Sequence, residues 1–333
     1  MMATRSPNRS NRRAAFTLIE LMIVIVILSI LAALILPAIG RVRNNVLIGK
    51  VKTEITALES AIATFKGKYG VDPPSRIVLY ETPSAGWTSA TPSPDAVDSR
   101  AKIRQIWPQF DFSMVRNLNG NGVATDVVEL TQGECLVFFL GGILKRPEDL
   151  DNDGTLDAGE DMDGDGRLGV NATVSGSNSR SVCTGFSKNP YNPFASGGNR
   201  ETAIYDFDTA RMVDAGTPDG MPEFVDSLSS QTQPYLYFSS YDGIGYQAVE
   251  FGFGGPICPY LQSPSTTAPT TWASVQSIPR WKPKSYQIIS PGMDRQYGTF
   301  GPFAPEAVDG QLQGGRTVEA DNITNFHSGT LGR

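Results

Sequence analysis

Phe16 to Ile39 is a run of 24 residues with a single charge, Glu20, and a single proline, Pro37. No other stretch limits the fold as severely. Leu21 to Leu36 holds no charge, glycine or proline. A bilayer span takes ~20 apolar residues, so the length suits a membrane helix better than a buried core helix. Ahead of it, Arg5, Arg9, Arg12 and Arg13 stand with no acid in residues 1–15. A secretory signal peptide places its small-residue cleavage site after the apolar region. Here Ala14-Ala15 come before it, so cleavage there leaves the apolar helix on the mature chain. The positive-inside bias puts the N-terminus in the cytoplasm and the body outside, although Arg41, Arg43, Lys50 and Lys52 pull the other way.

The pattern then changes without a break. Ile48, Val51, Ile55, Leu58, Ile62, Phe65 and Tyr69 alternate spacings of three and four, which places them on one helical face. Lys50, Lys52, Glu54, Glu59, Lys66 and Lys68 take the other faces. Gly70 and Asp72-Pro73-Pro74 stop the helix. One helix from Phe16 to Tyr69 would be about 80 Å long. Three heptads suit packing against the chain's own body better than a two-stranded coiled coil.

Glu20 is the anomaly in the run. A carboxylate at mid-bilayer costs ~2.5–3.5 kcal/mol, and less near the interface. A cation supplied by a neighbouring helix would offset that cost. After cleavage before Phe16, the best such cation is the neighbour's new α-amino group, and the pair would fix partner and axial register together.

Ala15-Phe16-Thr17-Leu18-Ile19-Glu20 with the apolar run behind it resembles the prepilin N-terminus of type IV pilins and of type II secretion pseudopilins. The resemblance implies that a membrane prepilin peptidase cuts between Ala15 and Phe16 and N-methylates Phe16, and that Glu20 recruits the neighbouring Phe16 amine during assembly. Pro37, twenty-one residues after Phe16, falls where such pilins carry a helix-kinking proline. Ala15 stands where the family usually has glycine. The implied fold is α+β and pilin-like: a long N-terminal helix packed on a C-terminal antiparallel β-sheet, here with a large loop-rich insertion. The chain then divides into a leader (1–15), a transmembrane helix (16–39), an amphipathic stem (40–70) and an extracytoplasmic body (71–333). Within the body, 76–233 is the insertion and 234–333 the C-terminal sheet.

The body is rich in turn formers, with 34 glycines and 23 prolines in the chain. Residues 83–94 read as a surface loop. Residues 103–115 read as a short helix or an irregular packed segment, and 132–144 as a buried helix or strand ended by Gly141-Gly142. An acidic loop follows at 149–168. Asp149, Asp151, Asp153, Asp157 and Glu160 take positions 1, 3, 5, 9 and 12 of a twelve-residue loop, with Gly154 at 6 and Thr155 at 7. Calcium wants six to eight oxygens, and such a loop supplies them from these positions, Thr155 through its carbonyl and Glu160 through both oxygens. Asp161, Asp163 and Asp165 begin a second loop that lacks an acid at its twelfth position, Ala172, which makes it a half-site. No long amphipathic helix follows, so the loop reads as structural rather than as a switch.

Pro234 to Gly243 reads as a strand running into a turn, and Tyr286 to Asp294 as another. The second, Ser290-Pro291-Gly292-Met293-Asp294, with Asp321-Asn322-Ile323 further on, resembles the C-terminal region of major pseudopilins. That resemblance implies a stabilising calcium ion held by Asp294 and Asp321 with backbone carbonyls. Arg295 stands where the family usually has glycine.

Cys135, Cys183 and Cys258 show no metal spacing and read as buried thiols, or as one disulfide with a thiol left over. His327, the only histidine, reads as a surface or capping residue. A net charge of −6 gives no reason to expect nucleic acid as a partner. No nucleophile, phosphate-loop or paired-carboxylate pattern asks for an enzyme. The leading expectation is a structural pseudopilin of a type II secretion system. Its partners would be prepilin peptidase, other pilin-like subunits in a filament, the inner membrane and the secretion platform proteins. The alternatives are a type IV pilus subunit for adhesion, motility or DNA uptake, and a calcium-stabilised surface-binding protein using the same export route.

Overall fold

In the computed structural model, helix α1 (Leu18–Tyr69) runs without interruption through position 37. The structure describes residues 18–119, 124–145, 182–195, 197–214, 220–248, 258–265, 271–306, 312 and 314–332, without side chains for 35–38, 40, 41, 314 and 315. Helix α1 ends where Gly70 turns to φ +81° and donates its N–H to the Lys66 carbonyl at 2.8 Å. A left-handed residue here is cheap only for glycine. Two units divide the chain, residues 1–47 and 48–333. In the first, the side chains of 18–34, almost all apolar, are exposed. Among the described residues no helix is long and apolar enough to cross a membrane. The run whose side chains are described stops at Leu34, short of the ~20 residues a span takes.

In the second unit the expected ridge is buried from Val51 to Phe65, and its ends, Ile48 and Tyr69, are half-buried. Val51, Leu58, Ile62 and Phe65 are 0% exposed and Ile55 is 1%, and each fully buried side chain of this kind contributes about 1.5–3 kcal/mol. Phe65 meets the Phe139 ring, with centroids 5.9 Å apart, and Glu59 and Lys52 bond a three-stranded antiparallel sheet in the order β11-β9-β7, built from β7 (Leu236–Ser239), β9 (Tyr286–Ser290) and β11 (Ile323–Thr324). Strand alternation assigns its faces. Tyr237 pairs with Ile288, and Leu236 with Ile289. The Tyr286 hydroxyl, on the same side as Ile288, donates to the Glu59 carbonyl of α1 at 3.4 Å. On the opposite face Leu236, Phe238 and Ile289 join Tyr246, Tyr260, Leu261, Val275, Phe300 and Phe303 in one apolar cluster. Gln287, 0% exposed on that face, satisfies its amide on the Tyr260 backbone: Oε1 accepts from the N–H at 2.8 Å and Nε2 donates to the carbonyl at 3.0 Å.

Polar side chains of the stem reach the same surface. Glu54 accepts from Arg211 Nη1 at 2.9 Å, from the Ser227 N–H at 3.1 Å and from the Tyr235 hydroxyl at 2.9 Å. Glu59 Oε1 accepts from Asn325 Nδ2 at 3.0 Å, and Lys52 Nζ donates to the carbonyls of Thr324, at 2.5 Å, and His327.

Residues 77–119, 124–145, 182–195 and 197–213 build a second core. Strands β1 (Ile77–Tyr80) and β2 (Val127–Leu130) pair antiparallel. Helix α2 (Pro94–Ile106) starts on Ser93, whose hydroxyl accepts from the Ala96 N–H at 3.1 Å. Helix α3 (Gln132–Gly141) starts on a capping box, with Glu134 Oε2 accepting from the Thr131 N–H at 2.6 Å. Its buried residues Phe138 and Phe139 meet Trp107, Phe186 and Phe194, with Trp107–Phe186 centroids 4.9 Å apart and Phe138–Phe194 centroids 5.3 Å apart. Short antiparallel pairs flank this core: β3 (Leu144–Lys145) with β4 (Val182–Cys183), and β5 (Met212–Val213) with β6 (Glu223–Phe224). A parallel pair, β8 (Leu261–Gln262) with β10 (Pro302–Phe303), and helix α4 (Trp272–Gln276) border the C-terminal cluster.

The fold is α+β and pilin-like, a long N-terminal helix with antiparallel sheets. Two local readings change. Residues 83–94 are more than a surface loop, because Trp87 is 3% exposed and donates Nε1 to the Tyr80 carbonyl at 2.6 Å. The segment 132–144 is helix first and strand only at its end. The three cysteines are thiols outside any disulfide; Cys135 is buried, and burial pushes the Cys183 and Cys258 thiols up to about 12.

Candidate functional site

Three groups of residues carry the functional expectations, and the structure reaches them unequally. Ala15 and Phe16 lie outside the described residues, and so does the whole acidic loop of Asp149, Asp151, Asp153, Thr155, Asp157, Glu160, Asp161, Asp163 and Asp165. Glu20 lies in the first turn of α1 and is exposed. A carboxylate there is favoured by the positive end of the helix dipole.

Asp294 and Asp321, 27 residues apart in sequence, meet at one turn. Strand β9 ends at Ser290, and Pro291-Gly292-Met293-Asp294 reverses the chain. Gly292 has φ +72°, and a Cβ there would lie 2.3 Å from the Asp321 carbonyl oxygen, so the turn requires glycine for conformation and for space. Asp321 Oδ2 accepts from the N–H groups of Met293 at 2.6 Å and Asp294 at 2.9 Å. Asp294 Oδ1 accepts from the Gln296 N–H at 2.8 Å. Arg295 adopts φ +63°, the left-handed region that suits the glycine usual in the resembling family, and its Nη2 donates to the Ser229 carbonyl at 3.4 Å. Burial raises the Asp321 carboxyl above its ordinary range, and the Asp294 carboxylate adds to the rise. Asp294 is raised by burial as well.

Asp321 Oδ1 is buried without a hydrogen-bond partner. Leaving a carboxylate oxygen so costs free energy unless a cation or water takes it. Two carboxylates at one turn, one with an orphaned oxygen, are a donor set that fits calcium, which accepts only oxygen ligands and takes six to eight of them. The two side chains supply part of such a set, and carbonyls would supply the rest. Among the described residues no group of three or more His, Cys, Asp or Glu gathers as a metal site.

Two residues that hold this turn carry no sequence signal. Asp226, 1% exposed, accepts at Oδ2 from the Ser290 hydroxyl at 2.6 Å and from Gln231 Nε2 at 3.0 Å. Gln231 Nε2 also donates to the Gly292 carbonyl at 3.1 Å, and the Gly292 N–H donates to Ser290 Oγ at 3.2 Å. The turn is thereby gripped on one side by Asp321 and on the other by Asp226 and Gln231. An isolated acid in a polar stretch has no spacing that would single it out.

Behind the turn, Glu319 (0% exposed) binds Arg316 through both oxygens, at 2.9 Å to Nε and 2.7 Å to Nη2, and Oε2 accepts from the Tyr260 hydroxyl at 3.0 Å. His327 is half-buried beside the Phe303 ring, and its Nδ1 is buried without a partner.

Residues 10–36 match the family described as the prokaryotic N-terminal methylation motif. The chain carries a prepilin-type N-terminus of the type IV pilin-like class. No curated protein and no solved structure matches the chain. The matched segment covers the end of the leader with Arg12 and Arg13, the Ala15-Phe16 junction, Glu20 and the apolar run to Leu36. This prepilin-type N-terminus implies an N-terminal membrane anchor, processing by prepilin peptidase and assembly with other pilin-like subunits.

Proposed function

We propose that the chain is a non-catalytic structural subunit, a pseudopilin of a type II secretion system. Prepilin peptidase cleaves it between Ala15 and Phe16 and methylates the new Phe16 amine. The subunits then assemble into a helical filament rooted in the inner membrane and contacting the secretion platform proteins. The N-terminus lies in the cytoplasm before cleavage, and residues 71–333 lie in the periplasm or beyond. The observation that carries this reading is the match over residues 10–36, which joins processing site, acid and span in one motif. The choice of a secretion pseudopilus over a type IV pilus is supported by the turn at which Asp294 and Asp321 meet.

Each part follows from elementary chemistry. The apolar face of residues 18–34 is exposed and needs lipid or other helices to cover it. Glu20 in a low-dielectric bundle needs a cation, and the Phe16 amine of a neighbour is the one that processing creates. Asp294 and Asp321, with carbonyls of their turn, would hold a calcium ion that neutralises two adjacent carboxylates, and Asp149 to Glu160 would hold another.

The test is Glu20→Val in the full chain. The variant should enter the membrane in normal amount and fail to assemble, as read by filament shearing and by crosslinking between subunits. Filaments or crosslinked oligomers at the level of the unaltered chain would overturn the register role.

A further inference from the structure

Three arginines converge on two aromatic rings in the segment between stem and C-terminal sheet. Phe110 and Phe112 are in contact, with centroids 4.7 Å apart. Arg100 and Arg104, one turn apart on α2, place their guanidinium carbons 4.8 Å and 5.5 Å from the Phe112 centroid. Arg116 lies 4.1 Å from the Phe110 centroid. None of the three forms an ion pair with a carboxylate among the described residues, whereas Arg76, Arg211 and Arg316 each do. Asp111, the acid closest in sequence to Arg116, spends Oδ1 on the N–H and hydroxyl of Ser113, at 2.8 Å and 2.6 Å.

The three differ in what they can offer a ligand. Arg116 is 6% exposed and its fork is largely spent within the protein: Nε donates to Asn192 Oδ1 at 2.8 Å, Nη1 to the Met114 carbonyl at 3.0 Å, and Nη2 to the carbonyls of Asp111 and Tyr191 at 2.7 Å and 3.3 Å. Every acceptor is neutral. Arg116 is a buried cation with no ion-pair partner among the described residues, and burial lowers its pKa to about 10 against the pull of the Asp111 carboxylate. Arg100 uses Nη1 on the Trp87 carbonyl and keeps its remaining donors. Arg104 is exposed and makes no hydrogen bond to a described residue. Like charges at i and i+4 on a helix repel by about 0.2–0.5 kcal/mol, so the pair is a cost unless an anion answers it. In a chain of net charge −6, this concentration of unanswered positive charge runs against the average.

We propose that Arg100 and Arg104 over Phe112, backed by the field of Arg116, form a binding site for sulfate or phosphate esters carried on a saccharide. Guanidinium forks held by a ring beneath them match the oxygens of a tetrahedral oxyanion two at a time. Phe110 and Phe112 are each 6% exposed, so no ring face is open for a nucleobase to stack on, which argues against single-stranded nucleic acid. Side chains at i and i+4 start about 5–6 Å apart, so esters on neighbouring sugar units can engage the two forks together and supply more charge-assisted contacts than a single free anion does.

The test uses the full-length chain in uncharged detergent micelles, titrated with dextran sulfate, with neutral dextran and with inorganic phosphate. Dextran sulfate should bind, inorganic phosphate should compete weakly, and neutral dextran should not bind. Arg104→Gln, an exposed change on a helix, should weaken dextran sulfate binding roughly tenfold, the loss of one charge-assisted contact. Arg100→Gln combined with it should weaken binding further. Lys284→Gln, an equal change of net charge at another exposed site, should leave affinity unaltered. The proposal is overturned if the unaltered chain binds no dextran sulfate, if Arg104→Gln binds as well as the unaltered chain, or if Lys284→Gln loses as much as Arg104→Gln. Binding to anionic phospholipid vesicles but not to dextran sulfate would also overturn it.

Discussion

Glu54→Ala tests how the stem is held to the body. Glu54 projects from α1 into a polar recess, and its carboxylate answers three donors: Arg211, the Ser227 N–H and the Tyr235 hydroxyl. The Glu54 and Arg211 side chains are 14% and 22% exposed, so the pair is partly shielded from solvent. Removing one partner of a fully buried ion pair costs about 3–5 kcal/mol, chiefly because the other charge stays behind. Two features reduce that figure here. Arg211 also reaches Asp208 at 3.7 Å, and its guanidinium lies 4.4 Å from the Phe224 centroid. The Ser227 N–H and the Tyr235 hydroxyl have no such second support. The expected loss is about 2–4 kcal/mol, which for a body of this size lowers the melting temperature by roughly 4–16 °C. Glu54→Gln keeps one acceptor oxygen and gives up the charge, so it should fall between Ala and the unaltered chain. The assay is thermal unfolding of the full chain in detergent, followed by near-ultraviolet circular dichroism. A change within about 0.5 kcal/mol, the ordinary range for a surface substitution, would show that apolar burial of the ridge alone fixes the stem.

Two further outcomes concern the Asp294–Asp321 turn and Lys52, which donates to the Thr324 and His327 carbonyls. Adding calcium should raise the melting temperature of the unaltered chain and a chelator should lower it, while Asp321→Asn should reduce the calcium-dependent difference; identical curves with and without calcium would refute calcium binding at either proposed place. Lys52 provides a pH dependence. Burial lowers its pKa from 10.5 to about 8, against the pull of Glu59, so between those values the unfolded chain holds a proton that the folded chain has released. Unfolding then takes up a proton, and the contribution of Lys52 to stability rises with pH across that window. The melting-temperature gap between the unaltered chain and Lys52→Met should therefore shift in favour of the unaltered chain from pH 7.5 to 9.5. A shift the other way would mean that the carbonyls of Thr324 and His327 hold the ammonium charged more strongly than burial opposes it.

What the sequence makes legible is what repeats or what costs energy. The three-four alternation from Ile48 to Tyr69 identifies the buried ridge because helix geometry leaves those residues no other common face. Tyr286 to Ser290 reads as a strand because the aromatic Tyr286 and the β-branched Ile288 and Ile289 dominate it and a Pro-Gly turn ends it. Residues 132–141 could not be assigned, because a wholly buried helix loses its amphipathic period: nine of its ten residues are buried. The 83–94 stretch reads as a loop because its Ser, Thr and Pro content hides one residue, Trp87, that anchors it. Site residues divide in the same way. Asp294 and Asp321 carry a motif. Asp226, Gln231 and the three arginines over Phe110 and Phe112 come together only through long-range packing, and no local spacing announces them.

The account as a whole depends on the N-terminus being processed as a prepilin. Intact-mass and N-terminal peptide spectrometry of the chain, purified from cells that carry prepilin peptidase, tests this directly. The mature chain should begin at Phe16 with a methylated α-amine and retain the apolar run behind it. A mature chain that keeps residues 1–15, or one cleaved after the apolar run, would contradict it.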